Sequence, residues 1–154
     1  MLADGEIDLT LTTEAGIDEG GELLLVDRLV WVGAPDGEAH LRSPLPVSLG
    51  DEKCAFRAAA VKALGGAGLD WRFICAISNM SALCATLEAD LAVAPLLSQT
   101  VPEGLAIIEP GSKLPELPPY FINLYRAPTK PTPIALELAR QISKNFAARY
   151  PRAA

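Results

Sequence analysis

The sequence predicts an α/β fold with a largely parallel sheet, on three observations. Short runs of strand character recur along the chain, among them "ELLLVDRLVWVG", "LPVSLG", "WRFICAI", "LAVAPL" and "YFINLYR". Stretches with helical spacing of apolar residues separate several of them. Glycine and proline punctuate the joins. Strands that alternate with helices are the pattern of crossover units, whose strands run parallel.

From the N-terminus, "EIDLTL" (Glu6–Leu11) alternates apolar with polar residues and reads as a strand. "TTEAGIDEGG" (Thr12–Gly21) is polar and glycine-rich, so it reads as a loop. Glu22–Pro35 is rich in Leu and Val and predicts one long bent strand or two short ones. "DGEAHLRSP" follows as a loop and Leu45–Gly50 as a short strand. The period then changes. In Cys54–Leu64, Phe56, Ala60, Val61 and Leu64 fall on one side of an amphipathic helix, which Gly65-Gly66 should end. Trp71–Ile77 is a strand, Asn79–Ala89 a helix, and Leu91–Leu96 and Gly104–Ile108 are strands. Four prolines make Pro110–Pro119 an extended connector. Tyr120–Arg126 alternates as a strand. Thr132 is a good cap and Pro133 suits the first position of a last helix, which reaches about Arg149 with Ile134, Leu138, Ile142 and Phe146 as its apolar stripe.

The chain has 154 residues, the size of one domain, and half of them are hydrophobic. Thirteen basic residues against 19 acidic ones give a formal charge of −6. That balance argues against a grip on nucleic acid by these residues themselves, since phosphate binding needs a basic face. No apolar stretch approaches a membrane span. "MLADGEIDL" carries acids where a signal peptide has a basic start and an apolar core, which points to the cytoplasm. Three cysteines, an odd number, fit a reducing compartment better than a disulfide framework.

Enzyme motifs are sparse: there is no glycine-rich phosphate loop, no Gly-x-Ser-x-Gly elbow and no His-x-x-x-His pair, and no cofactor is implied. His40, the single histidine, reads as a solvated loop residue rather than a catalytic base. Asp4, Glu6 and Asp8 read as a solvated strand edge, and Glu14, Asp18, Glu19 and Glu22 as soluble loop. The cysteine spacings do not suit a metal, for which none of the usual paired ligands is present. Cys75 and Cys84 lie among apolar neighbours and read as structural thiols. Cys54 lies at a helix start, where backbone N–H groups favour a thiolate, and is the candidate for redox sensitivity and for first reaction with thiol reagents. Two joins remain, "SLGDEKCAF" and "AISNMS". Each ends a strand and opens a helix, a point that offers N–H donors and a positive potential to an anion. Ser78 can simply cap its helix or can face a ligand cleft, and the pattern alone leaves both open.

Five blocks, in order, carry a family resemblance: "DGEIDLTLTT", "LLLVDRLVWVGAPDGEAHL", "PLPVSLGDEKCAFRAAAVKALGGAGLDWR", "SNMSALCATLEADLAVAPLLSQTVPEGLAII" and "LPELPPYFINLYR…IALELARQI". Together they resemble the effector-binding domain of LysR-type transcriptional regulators. The resemblance implies a periplasmic-binding-protein type 2-like α/β fold of two lobes, with the effector in the cleft and two crossings of the chain between lobes. These fall near Leu11–Thr13 and Ala94–Leu97. Residues 14–93 are then a complete second lobe, and residues 1–12 and 95–154 the remainder of a first lobe, without the DNA-binding domain. Carried over residue by residue, the ligand positions are Thr12 and Thr13, Ala55 and Phe56, Ser78 and Asn79, and Pro95. The sequence departs from the family in having Asp90 and Ala92 where glycines are usual, which makes that backbone less permissive.

The function so implied is effector sensing that controls transcription, not enzymatic activity. A small molecule and further copies of the chain are the expected partners, DNA is reached only through a helix-turn-helix outside these residues, and no membrane is involved. A transporter's solute-binding protein and a non-functional regulator fragment are the alternatives.

Overall fold

The computed structural model describes residues 2, 6–76, 79–109, 113–128 and 132–151. In chain order the elements are β1 (Leu9–Glu14), β2 (Glu22–Gly33), β3 (Leu45–Leu49), α1 (Ala55–Gly66), β4 (Trp71–Ala76), α2 (Met80–Glu88), β5 (Ala94–Leu97), β6 (Ala106–Ile107), β7 (Pro119–Arg126) and α3 (Pro133–Arg149). The chain forms two compact units, Met1–Asp27 with Pro119–Ala154, and Arg28–Pro118. β2 is continuous through the first boundary, and β5 pairs with β2 inside the second unit. The units therefore divide at 27/28 and 118/119, while the sequence places the crossings near 11–13 and 94–97.

In the unit Arg28–Pro118, β3 and β4 run parallel, with Leu45 opposite Trp71 and Leu49 opposite Ala76. A parallel bridge joins Val47 to Val93 at the start of β5. β2 pairs antiparallel with β5 and with β6. The expected largely parallel sheet is thus corrected: only strands joined by a helical crossover are parallel, and the loop-joined ones return antiparallel. Pro46 sits in a central strand without breaking it. Its carbonyl accepts from the Val93 amide, so its missing N–H falls on the same side, ahead of where β5 begins.

Alternate residues of these strands feed two cores. Trp31, Leu45, Val47, Leu49 and Val93 pack with Ala60 and Leu64 of α1. Val32, Ala92, Ala94 and Leu96 pack with Leu83 and Leu87 of α2. The two helices therefore cover opposite faces of the sheet. Leu64, Leu83 and Leu87 are almost fully buried, each contributing roughly 1.5–3 kcal/mol of transfer free energy. A bulge in β4 sets two residues, Ile74 and Cys75, against Ser48 of β3. Ile74 joins the α2 core, and Cys75 Sγ lies 3.2 Å from Ser48 Oγ and 4.0 Å from Thr86 Oγ1 of α2.

Both helices end in the same six-residue closure. After α1, Leu69 N–H donates to Leu64 C=O and Gly68 N–H to Gly65 C=O, with Gly68 at φ 64°. The helix thus runs through Gly65-Gly66 and stops at Gly68, the first glycine whose backbone turns left-handed. After α2, Leu91 N–H donates to Thr86 C=O and Asp90 N–H to Leu87 C=O, with Asp90 at φ 51°. Asp90 adopts the conformation that glycine usually fills.

In the other unit, β1 and β7 pair antiparallel from Leu9↔Arg126 to Glu14↔Phe121, and β7 lies between β1 and β2. The first strand thus begins at Leu9 and takes in Thr12–Glu14, which the sequence assigns to a loop. Its polar members, Thr10, Thr12 and Glu14, share a face with Tyr125, Asn123 and Phe121, their direct cross-strand partners. α3 starts on Thr132, whose Oγ1 accepts from Ala135 N–H and whose hydroxyl donates to Asp8 Oδ2. α3 buries Ala135 and Ala139, while Ile134 is 81% and Leu138 52% exposed, with Ile142 and Phe146 half-buried. The predicted stripe is split because each i, i+4 step advances about 40° around the helix, so four members spread over about 120°.

Candidate functional site

The parallel pairing of β3 with β4 brings two of the sequence-predicted clusters together. Leu49 and Ala76 are register partners near the strand ends. α1 and α2 begin a few residues beyond each, so both helix starts leave the same edge of the sheet. Cys54, Ala55, Phe56 and Asn79 belong to this cradle. Ser78 lies outside the described residues. Asn79 is the cap, its Oδ1 accepting from Ala82 N–H at 2.8 Å.

The turn into α1 is tightly built. Asp51 Oδ1 accepts from Lys53 N–H, and Asp51 C=O accepts from Cys54 N–H. Arg57 donates to Gly50 C=O at 3.0 Å, and its guanidinium lies 5.3 Å from the centre of the Phe73 ring. A Cβ on Gly50 would come within 2.7 Å of Cys54 Cβ and 2.8 Å of its Sγ, so only glycine fits against that side chain. Cys54 is the helix N-cap residue but its side chain makes no capping hydrogen bond. Cys54, Cys75 and Cys84 are all partly buried, so exposure does not single out Cys54 as the sequence predicts. Among the described residues no group of three or more His, Cys, Asp or Glu is placed to hold a metal ion.

Pro95 lies buried in β5, opposite Trp31. Below the cradle's other wall, Asp90 ties the end of α2 to the 38–42 turn. Its carboxylate accepts from Glu38 and Ala39 N–H, and Arg42 donates to its Oδ2 at 2.7 Å and to its C=O. Burial pushes the Asp90 carboxyl up, but the Ala39 and Glu38 amides and the Arg42 and His40 charges hold it below its ordinary value. A separate cavity of about 330 Å³ lies beside Trp31, Ile108 and Leu117 and includes none of the predicted residues. Trp31 Nε1 donates to Pro115 C=O along its wall.

Thr12 and Thr13 fall in the other unit, on β1. Thr13 is exposed. Thr12 faces a cluster that the sequence assigns to loop solubility. Asn123, fully buried, donates both amide hydrogens, to Glu14 Oε2 at 2.9 Å and Gly16 C=O at 2.7 Å. Tyr125 OH donates to Glu14 Oε2 and accepts from Asp18 N–H. The Asn123 hydrogen bond is the main influence holding the Glu14 carboxyl below its ordinary value; burial opposes it, and the Tyr125 hydroxyl adds to it. Glu22 pairs with Arg126. The signal for this cluster in the sequence is the alternation of Asn123 and Tyr125 with buried Leu124, which marks a polar strand face opposite Thr12 and Glu14.

No protein-family model matches the chain. The chain is 30% identical over 142 residues to the HTH-type transcriptional regulator DgdR of Burkholderia cepacia, a match covering 92% of this chain and 48% of that protein. It thus spans about half the length of this curated relative. The bromide-bound regulatory domain of HypT from Salmonella typhimurium superposes with a TM-score of 0.75 at 20% identity, covering 96% of this chain and 76% of that one. HypT is a hypochlorite-specific LysR-type transcriptional regulator. The Synechocystis CcmR regulatory domain in complex with 2-PG superposes at 0.69 with 15% identity, covering 99% of this chain and 78% of that one. The resemblance to LysR-type effector-binding domains and the expected fold class are borne out. Among the described residues no helix is long and apolar enough to cross a membrane.

Proposed function

We propose that this chain, which carries the fold of LysR-type regulatory domains, senses a small anionic effector and thereby controls transcription. The observation that carries the proposal is the register of β3 with β4, which delivers the positive ends of two helix macrodipoles to one edge of the sheet. Ala55, Phe56 and Asn79 are the residues of this cradle, and Ser78 belongs beside Asn79 in the sequence. The bromide and 2-PG complexes of the HypT and CcmR domains support an anionic group on the effector. In this reading Arg28–Pro118 is the family's second lobe and the other unit part of its first lobe. DNA contact falls to a helix-turn-helix segment outside these residues, in keeping with the −6 charge, and the protein acts in the cytoplasm.

Effector binding stabilises the folded state by mass action, by about 2.7 kcal/mol at a ligand concentration 100 times the dissociation constant. The melting temperature of the chain is therefore expected to rise with the logarithm of bromide or 2-PG concentration once that exceeds the dissociation constant. An unchanged melting temperature with both would overturn the anion cradle. Exposed Ile134 and Leu138, one turn apart on α3, present apolar surface that supports self-association. Light scattering is expected to show a concentration-dependent mass, and a monomer at every concentration would remove that part of the proposal.

A further inference from the structure

The geometry points to a second binding function: the β1–β7 face is a site for a primary ammonium group. It takes Thr12 from the effector-domain reading above but rests on a different unit and on opposite chemistry.

Asn123 carries the argument. Its residue is fully buried, and both amide hydrogens are spent on acceptors, Glu14 Oε2 and Gly16 C=O. That assignment fixes which end of the amide is oxygen, because a flipped amide would aim its oxygen at two acceptors. Asn123 Oδ1 is then buried with no hydrogen-bond partner, and so is Thr12 Oγ1, directly opposite across the strands. A buried polar atom without a partner is costly, and a native fold rarely carries two opposite one another unless something fills the gap.

The missing group has to be a donor. Asn123 has no hydrogen left to give, and Tyr125 has given its own to Glu14. What remains on this face is Asn123 Oδ1, the Thr12 hydroxyl, which can donate or accept but reaches no partner, and the Glu14 carboxylate. The carboxylate adds a negative charge, and the hydrogen bonds around it favour the ionised form. An ammonium offers three donors and a compensating charge to such a set. A lone water can satisfy the two neutral oxygens but gains nothing from the carboxylate's charge. The loop that follows β1 is tied over the same face through Gly16 C=O and Asp18 N–H, which gives the site one wall.

The test is a titration of the isotopically labelled full chain with propylammonium chloride, following the Asn123 side-chain amide resonances. Sodium chloride and n-propanol serve as matched controls. A saturable shift with propylammonium alone is expected, weakened about tenfold or more in Thr12→Val and in Glu14→Gln. Thr12→Val keeps the Glu14–Asn123–Tyr125 tether intact, so it separates ligand binding from folding. No saturable shift, an equal shift with either control, or an unchanged affinity in Thr12→Val would overturn the site and leave at most an ordered water. Such a failure leaves the anion cradle untouched, since that is read by bromide and 2-PG in the other unit.

Discussion

The two units solve polar recognition in opposite ways. In Arg28–Pro118 the side chains at the cradle organise backbone: Asp51 and Asn79 bind amides, Arg57 holds Gly50 C=O, and what faces outward is the positive end of two helices. On the β1–β7 face the side chains are themselves the array, and the Asn123 and Tyr125 donors are spent on Glu14 or the loop, leaving acceptor oxygens beside the Thr12 hydroxyl. One region therefore suits an anion and the other a cation. The difference follows from secondary structure. A parallel pair with helical crossovers exposes N–H groups at its ends, while an antiparallel pair satisfies its backbone and can only speak through side chains.

This contrast can be broken from several sides. The largest effect is expected at Asp90. Asp90→Ala removes the acceptor for two backbone amides and for Arg42, while keeping a side chain at a left-handed position. Discounted for the partial exposure of Asp90 and Arg42, the cost is about 2 kcal/mol. Urea unfolding should show it, with Asp90→Gly losing less because glycine accepts φ 51° freely. Equal midpoints for Asp90→Ala and the parent would mean the hub is incidental.

Gly50→Ala comes next. The new methyl must displace Cys54, at roughly 1–2 kcal/mol, and shift the start of α1. Bromide affinity should fall while the propylammonium response at Asn123 stays, and a parallel loss of both would erase the distinction between the regions.

Acid separates them more gently. Glu14 has a folded pKa below its ordinary 4.5, so its contribution is present above that value and is lost as pH falls through the lowered one. Propylammonium binding is expected to fade over that range. Bromide binding, which rests on backbone, should persist in acid, and Glu14→Gln should abolish the acid step in the amine response. An amine response that survives below that range would exclude Glu14 from the site.

Much of this architecture is legible in the sequence. The strand-to-helix joins before Ala55 and Met80, the cap at Thr132 and the long β2 follow from local spacing. What is hidden depends on partners distant in sequence. Thr12, Thr13 and Glu14 look like loop until Asn123 and Tyr125 pair with them more than 100 residues later. Asp90 looks like a misplaced glycine until Glu38, Ala39 and Arg42 meet its carboxylate. The α3 stripe misleads because residue spacing alone does not fix which part of a rotating row faces the sheet. The sheet is less parallel than the sequence predicts because apolar runs announce strands but not their directions.

A ¹H–¹⁵N titration of the full chain with bromide decides whether backbone at two helix starts forms an anion cradle. Saturable shifts are expected at the Ala55, Phe56 and Met80 amides, with the amides of β1 and β7 unmoved. Shifts that never saturate, or that centre on the β1–β7 face, would contradict the cradle.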